Sequence, residues 1–140
     1  MATTAHKITI DAPQEQVYQA LATIDGLKGW YTPNVEGRVG KNEEATFTFK
    51  DKEPFKWRFT DLKPNSLVRW TCVEGPGAAA GTTVTFKVSE KSKHQTVVEC
   101  DHEDWPDGHG ALKTCNTLWG ILMGHLKEYS ETRVPSPAFN

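Results

Sequence analysis

The sequence lacks any long apolar run. None of its 140 residues belongs to a stretch of about 18 consecutive apolar residues, the length that indicates a membrane-spanning helix. The opening Met1–Lys7 also lacks the apolar centre of a secretion signal. We therefore expect no membrane insertion and a cytoplasmic location.

Cysteine and net charge are also scarce. There are 3 cysteines, an odd number at wide spacing, which argues against a secreted disulfide scaffold and fits a reducing compartment. The formal net charge is −2, so no overall positive field would attract nucleic acid. We expect neither a nucleic-acid partner nor a cofactor.

Aromatic residues, in contrast, are abundant, with 5 Trp, 6 Phe and 3 Tyr. A chain of this length suits one domain, which we place at residues 1–134. Residues 135–140, which contain Pro135 and Pro137, are predicted to be a loose tail. A ring-rich interior fits either the wall of a cavity or a solid core.

A long helix is predicted at residues 111–132. Apolar residues recur there at three- and four-residue steps, and no proline interrupts the run. Gly120 and Gly124 lie one turn apart, and each costs about 1 kcal/mol relative to Ala within a helix. We expect the close approach of another backbone, or room for a ligand, at these glycines. The predicted apolar face consists of Leu112, Cys115, Leu118, Trp119, Leu122, Leu126 and Tyr129.

The rest of the chain predicts one strand, a helix pair and about six further strands. Residues 7–11 alternate as a strand does, and residues 13–23 and 25–30 follow as a bent pair of helices. From residue 44 the apolar period is two, with short turns between the segments. Short turns produce an antiparallel sheet, and the terminal helix is the element large enough to cover it. The fold class is therefore α+β.

Five segments, in this order and spacing, resemble the START-like (SRPBCC) helix-grip superfamily, and within it the group similar to the activator of Hsp90 ATPase. The resemblance extends over nearly the whole chain. The segments are Ile8–Leu21, which resembles the opening strand and helix, Gly29-Trp30, Asp61–Trp70, Gly81–Phe86, and His102–Trp105.

The resemblance implies a curved antiparallel sheet wrapped around a long C-terminal helix, with a cavity between them. Some relatives bind lipids, sterols or hormones there, some act on polyketides, and some serve chaperones. Asp104 stands where family members often carry Gly. Because one fold carries many functions, the resemblance does not decide among these activities.

If a cavity exists, strand alternation and the helix period predict its lining. A pocket that is apolar with a few polar groups is the usual form of a small-molecule site. The alternative is that the same rings fill a solid core. The predicted ligand-binding residues are Trp30, Phe47, Phe49, Trp57, Phe59, Trp70, Phe86, Val98, Trp119, Leu122 and Met123.

His102 is the one candidate for catalysis, because alternation points its side chain inward. It would act as a general base tuned by nearby carboxylates. The favoured alternative is a neutral imidazole bonded to a backbone group at the end of the sheet. No nucleophile–base pair or paired carboxylates occur at a recognisable spacing, so we assemble no catalytic set.

Two further features have ordinary interpretations beside functional ones. His102, Asp107 and His109 belong to an acidic connection that could suggest a metal, but the spacing matches no closed site, and we predict none. Residues 74–81 are predicted to be a mobile loop that neither packs nor pairs well. This loop is either a lid over the cavity or an ordinary surface loop.

Three hypotheses follow. The first is the binding of a small, largely hydrophobic molecule between the sheet and the C-terminal helix. The second is a polyketide cyclase-like or hydrolase-like enzyme that uses the same cavity. The third, implied only by the resemblance, is an Hsp90-associated interaction domain. We expect a monomer or a weak homodimer.

Overall fold

A single antiparallel sheet and three helices make up the fold. The structure is a computed structural model that describes residues 2–50, 52–105 and 110–139. The elements are β1 Ala2–Ile10, α1 Gln14–Ala22, α2 Ile24–Trp30, β2 Val35–Gly37, β3 Glu44–Phe47, β4 Phe55–Lys63, β5 Leu67–Glu74, a short 3₁₀ turn Gly77–Ala79, β6 Thr83–Ser92, β7 Gln95–Trp105 and α3 Gly110–Thr132.

The seven strands pair in the order β1-β7-β6-β5-β4-β3-β2, and every neighbouring pair is antiparallel. Trp70 lies opposite Phe59 on one side and Val84 on the other. Because side chains alternate along a strand, these residues share the inner face. The predicted α+β helix-grip fold, with its curved sheet and long C-terminal helix, is confirmed.

A helix pair follows β1 because Ala12 and Pro13 end the alternation. The Thr23 hydroxyl caps α2 by accepting a hydrogen bond from the Gly26 amide at 2.9 Å. A Cβ on Gly26 would lie 2.4 Å from the carbonyl oxygen of Gln19. The close helix approach that glycine permits therefore occurs here, between α1 and α2.

The terminal helix α3 packs against β1 and against both short helices. Trp119, Leu122 and Leu126 are buried on this side. Gly120 and Gly124 instead lie on the exposed side, where a Cβ on Gly124 would meet nothing within 4 Å. The expected close approach of another backbone to these two glycines is wrong, since the nearest atom to a Cβ on Gly120 would be Nε2 of the His6 side chain, at 3.8 Å. The side chain of Leu112 lies outside the described residues.

The tail that was predicted to be loose is instead held by hydrogen bonds. The amides of Ser136, Ala138 and Phe139 donate hydrogen bonds to the carbonyls of Gly29, Trp30 and Tyr31 at 2.9–3.0 Å. Prolines stop a helix, but they also favour extended backbone that can pair with another segment. Residues 136–139 therefore form a strap along the end of α2.

The prediction that the loop between β5 and β6 neither packs nor pairs well is also wrong. The Gly81 amide donates to the Cys72 carbonyl at 2.9 Å, the Thr82 amide donates to Ala79 at 3.0 Å, and Ala79 is buried. Gly77 and Gly81 have φ angles of 57° and 92°, which only glycine adopts readily. These conformations let the loop fold back onto the sheet, so it both packs and pairs.

A bulge interrupts β7 at the position singled out by the resemblance. Ala2 lies opposite Trp105 and Thr4 opposite His102, so β7 has one residue more than β1 between these pairs. Asp104 has a φ of 70° there. A bulge with a residue in the left-handed region is a form that favours glycine, which explains why Gly suits this position.

Candidate functional site: an apolar pocket beside α3

A pocket of about 340 Å³ lies between the N-terminal half of α3, β4, the end of α2 and residues 76–79. We call it the α3 pocket. Its surface is mostly apolar, and its volume is at the low end of the range of about 300–1,000 Å³ typical of small-molecule sites. The exposed Lys52, Glu53 and Gly77 form its rim.

Four of the eleven predicted ligand-binding residues line this pocket, and so does His102. The four are Phe49, Trp57, Trp119 and Leu122. The other seven are buried in the core next to the pocket without lining it. They are Trp30, Phe47, Phe59, Trp70, Phe86, Val98 and Met123.

The five aromatic residues among these seven stay outside the pocket because their rings pack on one another. The ring centroids of Trp70 and Phe86 are 5.1 Å apart, and those of Phe47 and Trp70 are 5.6 Å apart. Trp30 lies 6.2 Å from Phe86 and donates its indole N–H to the Ala20 carbonyl at 2.8 Å. Most of the aromatic residues therefore fill a solid core at the centre of the molecule, and some line the pocket at one end of this core.

His102 belongs to a chain of hydrogen bonds that crosses the pocket wall. The indole Nε1–H of Trp119 donates to His102 Nδ1 at 2.8 Å, and His102 Nε2 lies 2.8 Å from the Thr82 hydroxyl. That hydroxyl donates to the Ala79 carbonyl at 2.6 Å. The bonds link α3, the sheet and the loop between β5 and β6.

The partners decide the tautomer of His102. An indole N–H can only donate, so Nδ1 accepts and the proton lies on Nε2, which donates to Thr82. Burial lowers the pKa of His102 to about 4. As arranged, neither ring nitrogen offers a lone pair to a substrate. The imidazole is neutral, as expected, and the two partners described here are the side chains of Trp119 and Thr82.

Tyr31, directly after α2, is the pocket residue that sequence reasoning missed most clearly. Only 5% of its surface is exposed, and its ring lies 6.0 Å from that of Trp119 and 5.0 Å from that of Phe47. Burial, with additional repulsion from the thiols of Cys115, Cys100 and Cys72 when ionised, raises the pKa of its hydroxyl. The phenol is therefore a neutral group.

Several other lining residues also carry no periodic signal. Pro76, Gly77 and Ala79 belong to the loop between β5 and β6, and Phe139 belongs to the strap. Phe139 packs 5.2 Å from Phe49, ring to ring. Cys115 and Leu118, on the predicted helix face, and Phe55, which alternates with Trp57 along β4, had a signal that could have placed them here.

Metal and thiol chemistry find no support in the described part of the chain. Its residues contain no group of three or more His, Cys, Asp or Glu positioned to hold a metal ion. Burial raises the pKa of Cys72 to about 12 and also raises the pKa of Cys115, which keeps both thiols protonated and inert. Asp107, His109 and the side chain of Trp105 lie outside the described residues.

A comparison with protein families finds one family model that matches most of the chain. The family model described as "Activator of Hsp90 ATPase homolog 1-like protein" matches residues 11–131. A comparison with curated protein sequences returned no match. No described helix is long and apolar enough to cross a membrane.

Among solved structures, the Aha1 dimer of Colwellia psychrerythraea is similar at a TM-score of 0.84 and 32% identity, over 94% of this chain and 98% of that one. A Mesorhizobium loti protein matches at 0.79 and 15% identity, over 91% and 95% of the two chains. A Staphylococcus saprophyticus protein matches at 0.78 and 20%, over 99% and 98%. The last two likenesses concern the fold alone. From the family match and the Colwellia relative together, the chain belongs to the family of activator of Hsp90 ATPase homolog 1-like proteins.

Proposed function

We propose that this protein binds a small, largely hydrophobic molecule in the α3 pocket. The observation that supports this most is an apolar space of about 340 Å³ beside Trp57 and Trp119, although the neighbouring core is filled with rings. Concave, mostly apolar pockets of this size are the usual form of a small-molecule site. A ligand that enters past the exposed rim would bury its own apolar surface there.

The polar groups of the pocket support binding over catalysis. His102 donates from Nε2 and accepts at Nδ1, so its ring offers no lone pair for a general base. Thr82 is likewise engaged with Ala79. The charged lining residues Lys52 and Glu53 lie at the exposed rim, away from the pocket interior. This geometry gives no support to the cyclase or hydrolase alternative.

Filling the pocket is the direct test. Leu118→Trp adds an indole to the lining, and we expect it to weaken the binding of the neutral fluorescent probe N-phenyl-1-naphthylamine at least tenfold. Ile121→Trp is the matched control, because Ile121 lies on the same helix but is 50% exposed on its outer side. This control variant should bind the probe as the wild type does.

Three results would contradict the proposed binding site or the proposed function. Equal weakening by both variants, or unchanged binding in Leu118→Trp, would place the probe elsewhere. Absence of binding by the wild-type protein across a broad set of apolar compounds would overturn the proposal. Thermal unfolding of each variant shows whether the fold survives the substitution.

A second function is favoured by the family description and by the Colwellia relative, whose name refers to Aha1. We propose that the protein also contacts an Hsp90-type chaperone. The test measures the ATPase rate of purified Hsp90 with this protein at tens of micromolar, with serum albumin as the control. A rate identical to the control, together with no binding, would rule this function out.

We also propose a cytoplasmic location and a weak homodimer. Cys72, Cys100 and Cys115 are all free thiols, as is usual in a reducing compartment, and this supports a cytoplasmic location. The Colwellia relative is described as a dimer, which supports a weak homodimer. Sedimentation equilibrium tests this, and a single monomeric species at all concentrations would contradict it.

A further inference from the structure

Two residues that line the α3 pocket carry hydrogen-bond donors that no described residue uses. Only 5% of the surface of Tyr31 is exposed, Tyr31 lines the pocket, and its hydroxyl forms no hydrogen bond within the described part of the chain. The Trp57 indole N–H is buried and also lacks a partner among the described residues. The described residues contain four other buried polar atoms without a partner, at Thr4, His6, Trp70 and Ser130, but of these five residues only Trp57 lines the pocket.

Three acceptors around the pocket, in contrast, already receive hydrogen bonds. His102 Nδ1 accepts from Trp119, and the Ala79 carbonyl accepts from both the amide and the hydroxyl of Thr82. The Glu74 carbonyl accepts from the Cys72 thiol at 3.3 Å. Of the unused polar groups in the interior of the described lining, the Trp57 N–H can only donate, whereas the Tyr31 hydroxyl can donate or accept.

Charge further limits what can enter. The charged residues of the described lining are Lys52 and Glu53, and both lie at the exposed rim. The Lys52 ammonium lies 5.1 Å from the centroid of the Phe139 ring. An anionic group placed deep in the pocket would lose its hydration without gaining a cation, which is strongly unfavourable.

We propose that the ligand of the α3 pocket is a compact, neutral, mostly apolar molecule with an oxygen acceptor such as a ketone carbonyl, and that the Tyr31 hydroxyl donates a hydrogen bond to this oxygen. The inference rests on the proposed function, because it concerns the same pocket. A phenol is protonated at physiological pH, and burial raises the pKa of Tyr31 further, so the donor is present throughout that range.

The test compares two ligands of nearly equal shape, 2-acetylnaphthalene and 2-ethylnaphthalene, which differ in the carbonyl oxygen. Their dissociation constants are measured on the wild type, on Tyr31→Phe and on the control Tyr18→Phe, whose tyrosine does not line the pocket. We expect Tyr31→Phe to weaken ketone binding relative to hydrocarbon binding by about 3- to 10-fold, the effect of one neutral hydrogen bond. Tyr18→Phe should leave this ratio unchanged.

An unchanged ratio in Tyr31→Phe, or an equal loss of both ligands, would overturn the inference while leaving the proposed function intact. Failure of the wild type to bind the ketone while it binds other apolar compounds would overturn the inference alone, and failure to bind any apolar compound would overturn both. The anion 2-naphthoate should bind at least tenfold more weakly than the ketone, and tighter binding would contradict the neutral class. A measurement without any variant is the carbonyl stretching band of bound 2-acetylnaphthalene, which should lie at lower frequency than in an apolar solvent.

Discussion

The indole N–H of Trp119 donates to Nδ1 of His102 over 2.8 Å, and this bond joins the terminal helix to the sheet. A protonated His102 would carry a hydrogen on Nδ1 and would oppose this donor with another donor. Burial already disfavours the charged ring, since His102 is 2% exposed. The contact between helix and sheet therefore depends on a neutral imidazole.

Stability should fall in mild acid because of His102. Its pKa is about 4 in the folded protein against 6.5 for a free histidine, so between these values the unfolded chain binds a proton that the folded chain does not. The contribution is fully present above pH 6.5, is lost as the pH falls toward 4, and amounts to about 3 kcal/mol. Urea unfolding across this pH range measures it.

His102→Gln provides the comparison, because an amide can still accept from Trp119 and donate to Thr82 without titrating. We expect this variant to lose much of the decline, whereas His94→Gln, at an exposed site, should keep it. An equally steep decline in His102→Gln would contradict the assignment. Nitrogen NMR of the wild type, which should show the Nε2–H tautomer down to about pH 4, tests it without a substitution.

The bulge in β7 predicts a stabilising substitution. Asp104 has a φ of 70°, a conformation that costs most residues about 1–2 kcal/mol and glycine almost nothing. Asp104→Gly should therefore raise the free energy of unfolding by about 1 kcal/mol. Asp101→Gly, at a paired position of the same strand, should lower it. A loss of stability in Asp104→Gly would show that the side chain contributes more than the strain costs.

Two glycine-to-alanine changes should have opposite signs. Gly124→Ala adds a methyl group to open space on α3 and should stabilise the protein by up to about 1 kcal/mol through helix propensity. Gly26→Ala would place its Cβ 2.4 Å from the Gln19 carbonyl and should destabilise it by about 1–3 kcal/mol. Thermal and urea unfolding measure both. Equal effects would mean that α1 and α2 are not in close contact.

The faces of the strands and the element order were predictable because they depend on local patterns. Alternation identified the inward sets of β5, β6 and β7, and the helix period placed Trp119 and Leu122 on the buried face of α3. The resemblance also pointed to Asp104, whose backbone conformation explains the glycine that relatives carry. These inferences need only the nearest neighbours along the chain.

The position of the pocket was not predictable, because it depends on distances between elements. Alternation points both Trp70 and Trp57 inward, but Trp70 is enclosed by Phe47, Phe59 and Phe86, whereas Trp57 lies at the pocket. Tyr31 follows a helix end and belongs to no periodic segment. No local pattern indicates that such a residue becomes part of the wall.

The strap could not be foreseen for a related reason. Pro135 and Pro137 indicate only that α3 must stop, and the partners of residues 136–139 are carbonyls more than one hundred positions earlier in the chain. Pairing over that distance is decided by where α2 and α3 meet. A composition rule for chain termini therefore gave the wrong answer here.

The strap predicts control over entry to the pocket. Phe139 packs 6.1 Å from Tyr31 and 5.2 Å from Phe49, ring to ring, at the pocket. Phe139→Ala should increase both the association and dissociation rates of N-phenyl-1-naphthylamine several-fold and lower stability by about 1–2 kcal/mol. Val134→Ala, at a residue that is 63% exposed, is the control. Stopped-flow rates unchanged from the wild type would show that Phe139 does not limit entry.

The most direct measurement is an NMR titration of methyl-labelled protein with 2-acetylnaphthalene, followed by intermolecular nuclear Overhauser contacts. Binding in the α3 pocket predicts contacts from the ligand to the methyl groups of Leu118 and Leu122, with a shift of the Trp119 indole N–H. It predicts no contact to Ile121, on the outer side of α3. Contacts to Ile121 alone, or saturating binding without any contact to Leu118 or Leu122, would contradict the account.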